Sequence, residues 1–148
     1  MKKILFVCHG NICRSPMAEF IFKKLARDAG RAEEFEVSSA ATSTEELGND
    51  IYPPAKRCLK SHDVEFSSRA ARQITKADYN YYDHIILMDS NNLRNIRWVI
   101  GDDTLGKISL MMSWAGIRRD VADPWYTDDF ETTYRDLLRG CTALLEAL

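Results

Sequence analysis

The stretch Cys8-His9-Gly10-Asn11-Ile12-Cys13-Arg14-Ser15 constrains this chain more than any other, because a cysteine and an arginine separated by five residues sit between an apolar run and a helix start. Ile4-Leu5-Phe6-Val7 is unbroken, β-branched and aromatic, which suits a strand buried on both faces of a parallel sheet. Behind the loop, Ser15 is the expected cap and Pro16 the expected first residue of a helix. Ala18, Ile21, Phe22, Leu25 and Ala29 recur there at helical spacing until Gly30 ends it. A loop so placed wraps over a helix N-terminus, where free backbone N–H groups and the positive end of the macrodipole favour an anion. Gly10 lets the backbone approach closely, and Asn11 tolerates the left-handed conformation that such a nest needs.

The residue types point to chemistry on that anion. A thiol in this field loses its proton easily, so Cys8 is expected as a thiolate able to attack phosphorus. Ser15 is placed to donate a hydrogen bond to the sulfur. Arg14 is planar and always charged, and can hold two phosphoryl oxygens in a bidentate fork. The loop lacks the Gly-Lys-[Ser/Thr] ending of a Walker loop, which argues against nucleoside triphosphate binding.

A leaving alkoxide or phenoxide needs a proton, and Val121-Ala122-Asp123-Pro124-Trp125-Tyr126 offers a candidate acid. Pro124 disfavours helix at Asp123 and presents it on a turn, while Trp125 and Tyr126 supply aromatic surface for a substrate ring.

With these two segments the chain resembles the low-molecular-weight protein tyrosine phosphatases over essentially its whole length. Their loop, Cys-x-Gly-Asn-x-Cys-Arg-Ser-Pro-x-Ala-Glu, stands here from Cys8 to Glu19, and their Asp-Pro-aromatic-Tyr motif from Asp123 to Tyr126. Ser39-Ala40-Ala41-Thr42-Ser43, Ala71-Arg72-Gln73-Ile74 and Met88-Asp89-Ser90-Asn91-Asn92-Leu93 agree as well. The resemblance implies hydrolysis of phosphotyrosine in two steps, with Cys8 phosphorylated while Asp123 protonates the leaving group, then water attacking with Asp123 as base. Catalysis is carried by Cys8, Arg14 and Asp123, with His9, Gly10, Asn11, Ile12, Cys13 and Ser15 holding phosphate or supporting the loop. No cofactor and no metal is implied. Two positions depart from the pattern. Glu45 stands where the family usually has an aromatic cleft wall beside Trp125 and Tyr126. Arg69, next to Ser68, replaces a histidine that helps order the loop asparagine, so Asn11 is expected to be held differently.

Composition sets outer bounds. A chain of 148 residues that is 45% hydrophobic and 28% charged is expected to form one domain with an adequate core, spanning residues 1–148. A net charge of −2 provides no general attraction to nucleic acid or anionic membrane. Lys2-Lys3 before Ile4 superficially resembles a secretion signal, but the apolar run is too short and Arg14 follows. Cys8, Cys13, Cys58 and Cys141 show no disulfide-framework spacing, which agrees with a reducing, cytoplasmic setting. Cys8, His9, Cys13, Cys58 and His62 include no second paired ligand motif at zinc-binding spacing. The expected partners are phosphotyrosine proteins, met by a monomer with at most weak self-association.

Strands are expected at Phe35–Ala40, His84–Met88 and Lys107–Met112, with helices at Pro54–Ser61, Thr75–Tyr82 and Asn91–Val99. A long amphipathic helix begins near Phe130 and carries Tyr134, Leu137, Cys141, Leu144 and Leu145 on its apolar face. The alternation predicts a doubly wound α/β fold, a three-layer sandwich with ligand at the carboxyl end of strand one. The resemblance implies four parallel strands in the order 2-1-3-4.

Three rival functions are weaker. A thioredoxin-coupled arsenate reductase of this fold needs two more cysteines downstream, and none lies between Ala71 and Ala122. Phosphoarginine phosphatases tend to carry threonine where Ile12 stands, and isoleucine favours a flat phenyl ring. A silent phosphotyrosine-binding module predicts loss of Cys8, Arg14 or Asp123, yet all three are present.

Overall fold

The computed structural model describes all of residues 1–148. Strands β1 (Lys2–Cys8), β2 (Phe35–Ala41), β3 (His84–Leu87) and β4 (Ile108–Leu110) form one sheet in the order β2-β1-β3-β4, every pair parallel. Helices α1 (Arg14–Asp28), α2 (Pro53–Ser61), α3 (Lys76–Tyr81), α4 (Ser90–Ile100), α5 (Pro124–Thr127) and α6 (Phe130–Ala147) surround it.

The apolar run of β1 is continuous because both faces are covered. Ile4, Phe6 and Cys8 join a core with Met17, Ile21 and Phe22 of α1 and Leu137, Cys141 and Leu144 of α6. Leu5 and Val7 point the other way, into a core with Ile85 and Leu87 of β3 and Ile96 and Ile100 of α4. The period of two along the strand thus divides one hydrophobic segment between two helical layers. No helix is long and apolar enough to cross a membrane.

Local chemistry fixes the element ends. Thr75 and Asp78 form a capping box at the start of α3, and Asp89 and Asn92 form another at α4. Three expectations need correction. Helix α1 starts at Arg14 with Cys13 in the capping position and no side-chain cap, because the Ser15 hydroxyl faces inward to the loop; Pro16 becomes the third helical residue. Strand β4 stops at Leu110, since Met111 and Met112 turn into a 3-10 helix (Met111–Ala115) that buries both side chains. Beyond Asp123 the chain forms the short helix α5 rather than a turn alone.

Candidate active site

The loop leaves the carboxyl end of β1, where the chain turns to β2 on one side and β3 on the other. Ligands settle at such a reversal in open α/β sheets. Its shape is set by where its carbonyls go. The Cys8, His9 and Ile12 carbonyls accept from the N–H groups of Thr42 (2.9 Å), Ser43 (3.1 Å) and Tyr52 (2.9 Å), and the Cys13 carbonyl from Met17 (3.0 Å). Arg69 donates to the Asn11 carbonyl. Because C=O and N–H of a trans peptide point in opposite directions, carbonyls tied outward turn the loop's N–H groups inward, an anion nest at a helix N-terminus. Asn11 closes the curve with φ of 59°.

A buried network centred on Asn11 holds that curve. Asn11 Nδ2 donates to Ser15 Oγ (2.8 Å) and to Ser39 Oγ (3.0 Å), and Ser39 Oγ donates on to the buried Glu19 (2.7 Å). Asn11 Oδ1 accepts from Arg72 N (3.2 Å) and from the Arg69 guanidinium. Cys8 Sγ lies at the centre, 3.1 Å from Ser15 Oγ and accepting from Asn11 N at 3.3 Å. Cys13 is buried in the same loop; burial, then the charges of Cys8 and Asp123, push its thiol far above the ordinary range.

Arg14 is nearly inaccessible, with 3% of its side chain exposed. Its Nη1 donates to Asp89 Oδ2 (2.7 Å) and to the Val121 carbonyl (2.9 Å), and its Nη2 to Asp123 Oδ2 (3.4 Å). Of five guanidinium hydrogens this leaves two, on Nε and Nη2, without a protein acceptor, enough for a two-point grip on an anion. Burial pulls its pKa down, but Cys8, Asp123 and Asp89 outweigh that effect and the net shift is upward. Asp89 therefore braces Arg14, while its other oxygen caps α4 through Asn92 N (2.7 Å).

Asp123 reaches the cleft from the far end of the chain. Its Oδ1 accepts from Trp125 N (3.0 Å), capping α5, and its Oδ2 faces Arg14. The cleft, about 530 Å³ with its open mouth, is lined by Cys8, His9, Gly10, Ile12, Cys13 and Arg14 below and by Glu45, Glu46, Asp123, Trp125 and Tyr126 around the rim. Trp125 is supported from behind by Tyr52, ring centroids 4.8 Å apart, whereas Tyr126 is exposed. Glu45 presents no apolar wall; its Oε2 sits 2.9 Å from His9 Nε2 at the rim.

The structure thus brings together every site residue expected from the sequence. It adds Glu46 at the rim, Asp89 and Val121 behind Arg14, and Glu19, Ser39, Arg69 and Arg72 behind Asn11. Of these, all but Glu46 lie in or next to segments that the sequence analysis singled out. Only Arg69 is tied to its partner by the sequence, through the expectation that Asn11 is held differently; the other pairings have no signal there.

A buried thiol in an anion nest, an arginine committed to the same nest and a carboxylate across the cleft define the class of cysteine-based phosphate-monoester enzymes. The family model described as low molecular weight phosphotyrosine protein phosphatase matches residues 3–148. The low molecular weight phosphotyrosine protein phosphatase of Homo sapiens is 42% identical over 150 residues, covering 98% of this chain and 94% of the relative. The crystal structure of YfkJ from Bacillus subtilis superimposes with a TM-score of 0.94 at 34% identity, covering 99% of this chain and 94% of that one. That of SP-PTP, a low molecular weight protein tyrosine phosphatase from Streptococcus pyogenes, gives 0.90 at 40% identity, covering 100% and 93%. This chain belongs to the low molecular weight phosphotyrosine protein phosphatase family.

Proposed function

We propose that this chain is a protein-tyrosine phosphatase that hydrolyses phosphotyrosine in proteins, and small aryl phosphates, through a cysteinyl-phosphate intermediate. The observation that carries this reading is Cys8 Sγ held between Asn11 N–H and Ser15 Oγ at the base of a nest whose other side is Arg14. Phosphate sits on the loop N–H groups from His9 to Arg14, with Arg14 supplying its two uncommitted hydrogens. Cys8 Sγ attacks phosphorus as the P–O bond to tyrosine breaks, and Asp123 gives its proton to the departing oxygen. Water then attacks the phosphocysteine, Asp123 takes the water proton, and Sγ leaves as a thiolate stabilised by Ser15 and Asn11. The phenyl ring lies against Ile12 and Trp125, with Tyr126 at the mouth.

The site is complete within one chain, which supports a monomeric enzyme acting as a single domain over residues 1–148. Four free cysteines, one of them the nucleophile, suit a reducing compartment such as the cytoplasm. The test is steady-state turnover of phosphotyrosine, phosphoserine, phosphoarginine and arsenate in parallel, with Cys8→Ser alongside. Phosphotyrosine is expected to lead by a wide margin, and Cys8→Ser to bind phosphate without turning over. Preference for phosphoarginine or arsenate, or appreciable activity of Cys8→Ser, overturns the reading.

A further inference from the structure

On the side of the molecule where α2 meets α6, Cys58, His62 and Glu131 bring one sulfur, one nitrogen and one oxygen within 4.8 Å of one another. Cys58 and His62 are four residues apart along α2 and its end, so they share a face, and Glu131 comes from the first turn of α6. The sequence offers Cys58 and His62 as an isolated pair; only the fold supplies the third donor.

The arrangement is suited to a metal in several respects. His62 Nε2 lies 2.9 and 2.8 Å from the two Glu131 oxygens, and the imidazole is fixed against the Tyr134 ring at 3.7 Å between centroids. Cys58 is buried, whereas His62 and Glu131 keep 31% and 44% of their side chains exposed, which gives an ion an entry path and leaves water for a fourth position. A soft thiolate combined with imidazole and carboxylate selects zinc or a similar late divalent ion and disfavours magnesium and calcium.

We propose that Cys58, His62 and Glu131 form a zinc-class metal site that clamps α2 to α6, independent of the phosphatase reaction. Binding forms metal–Sγ, metal–Nε2 and metal–carboxylate bonds. The Cys58 thiol proton passes to solvent; an imidazolium at His62 also releases its Nε2 proton, whereas a neutral ring protonated on Nε2 shifts that proton to Nδ1, and no electron is transferred. Arg135 Nε lies 3.7 Å from Glu131 Oε1, an exposed ion pair that metal binding would exchange for solvent.

The experiment uses the full chain carrying Cys8→Ser, which removes the nucleophilic thiol of the phosphate loop and leaves only the buried Cys13 there, and titrates it with cobalt(II) alone. One equivalent is expected to raise a sulfur-to-cobalt charge-transfer band with tetrahedral visible absorption. One equivalent of zinc should bleach both, raise Tm by several degrees and release protons. Cys58→Ser should abolish the band, and His62→Ala and Glu131→Gln should each weaken binding about ten- to hundredfold. His62→Ala with Cys8 intact should retain metal-free turnover, so that lost binding there reflects a lost ligand and not a lost fold. Absence of the band in the parent, its survival in Cys58→Ser, or unchanged affinity in both other variants overturns the site. None of these readouts depends on phosphotyrosine turnover.

Discussion

Arg69 grips Asn11 twice, its guanidinium donating to the backbone carbonyl and to the side-chain oxygen of the same residue. Asn11 is the buried, left-handed residue on which the loop pivots, so Arg69 holds the nest in shape. Arg69→Ala leaves Asn11 Oδ1 with Arg72 N alone and its carbonyl with no donor. Such misplacement should lower kcat for phosphotyrosine roughly 10–100-fold. Arg69→Lys should recover part of the loss, having the charge without the fork. Steady-state kinetics of the two variants, with Tm as a control, provide the check.

Asp89 serves two masters with its two oxygens, capping α4 and bracing Arg14. Asparagine caps a helix about as well as aspartate but presents no charge to a guanidinium. Asp89→Asn should therefore shift Tm little while reducing kcat/KM about tenfold. Asp89→Ala should lower both. A large fall in Tm for Asp89→Asn would show that the cap depends on the charge.

The acid role of Asp123 has a signature in the leaving group. Asp123→Ala should slow phosphotyrosine by about 10²-fold or more, the range typical of general acid catalysis. p-Nitrophenyl phosphate, whose phenolate leaves without help, should suffer less. Equal losses on the two substrates would assign Asp123 to positioning Arg14 instead.

Glu45, hydrogen-bonded to His9, and Glu46 beside it give the cleft an acidic rim. Acidic residues flanking phosphotyrosine should raise KM, and added salt should relieve part of that increase. Glu45→Gln is expected to lower KM for acidic peptides by roughly two- to fivefold and to flatten the salt dependence, with a smaller change in kcat. Peptide pairs differing only in flanking charge, assayed across ionic strength, test this.

Asp50 contributes to the acid sensitivity of the loop's support. Its carboxylate accepts from Lys56 Nζ (2.8 Å), Ile51 N (2.7 Å) and Arg69 N (3.2 Å), and these bonds, Lys56 first, bring its pKa down from 3.8 to about 2. A carboxylate depressed in the folded state stabilises the fold fully above its unfolded pKa, and this stabilisation is lost as pH falls through the folded value. Stability should drop between about pH 4 and 2, and Asp50→Asn should flatten that limb while being less stable at neutral pH. Denaturant unfolding at a series of pH values measures both effects.

What could be read in the sequence was what is local. The strand at Ile4 to Val7 is legible because both of its faces are buried, and the loop because Gly10, Asn11, Arg14 and Ser15 occupy fixed offsets from Cys8 on one turn of chain. Ser15 was open to misreading, since a serine before a helix caps it only when its hydroxyl turns to the helix, and here Cys8 and Asn11 draw it away. The end of β4 is hidden for a similar reason: Met111 and Met112 suit a strand, but burial against α6 favours a tighter turn, and Gly140 permits that approach, since a Cβ there would come within 2.8 Å of Met111 Cε. Arg69 shows the general limit. The resemblance ties its position to Asn11, but the two bonds it makes across 58 residues, to the carbonyl and to the side-chain oxygen, are chosen by the fold.

Arg14 takes one of its bonds from the carbonyl of Val121 and another from Asp123, more than a hundred residues downstream. During synthesis the nucleophile and its loop leave the ribosome well before the acid and the outer brace of the arginine, which follow more than a hundred residues later. A nascent chain would accordingly bear the whole phosphate-loop motif and still be inert. Turnover then reports the docking of Val121 and Asp123 onto Arg14, and a phosphatase assay during in vitro translation would time that closure.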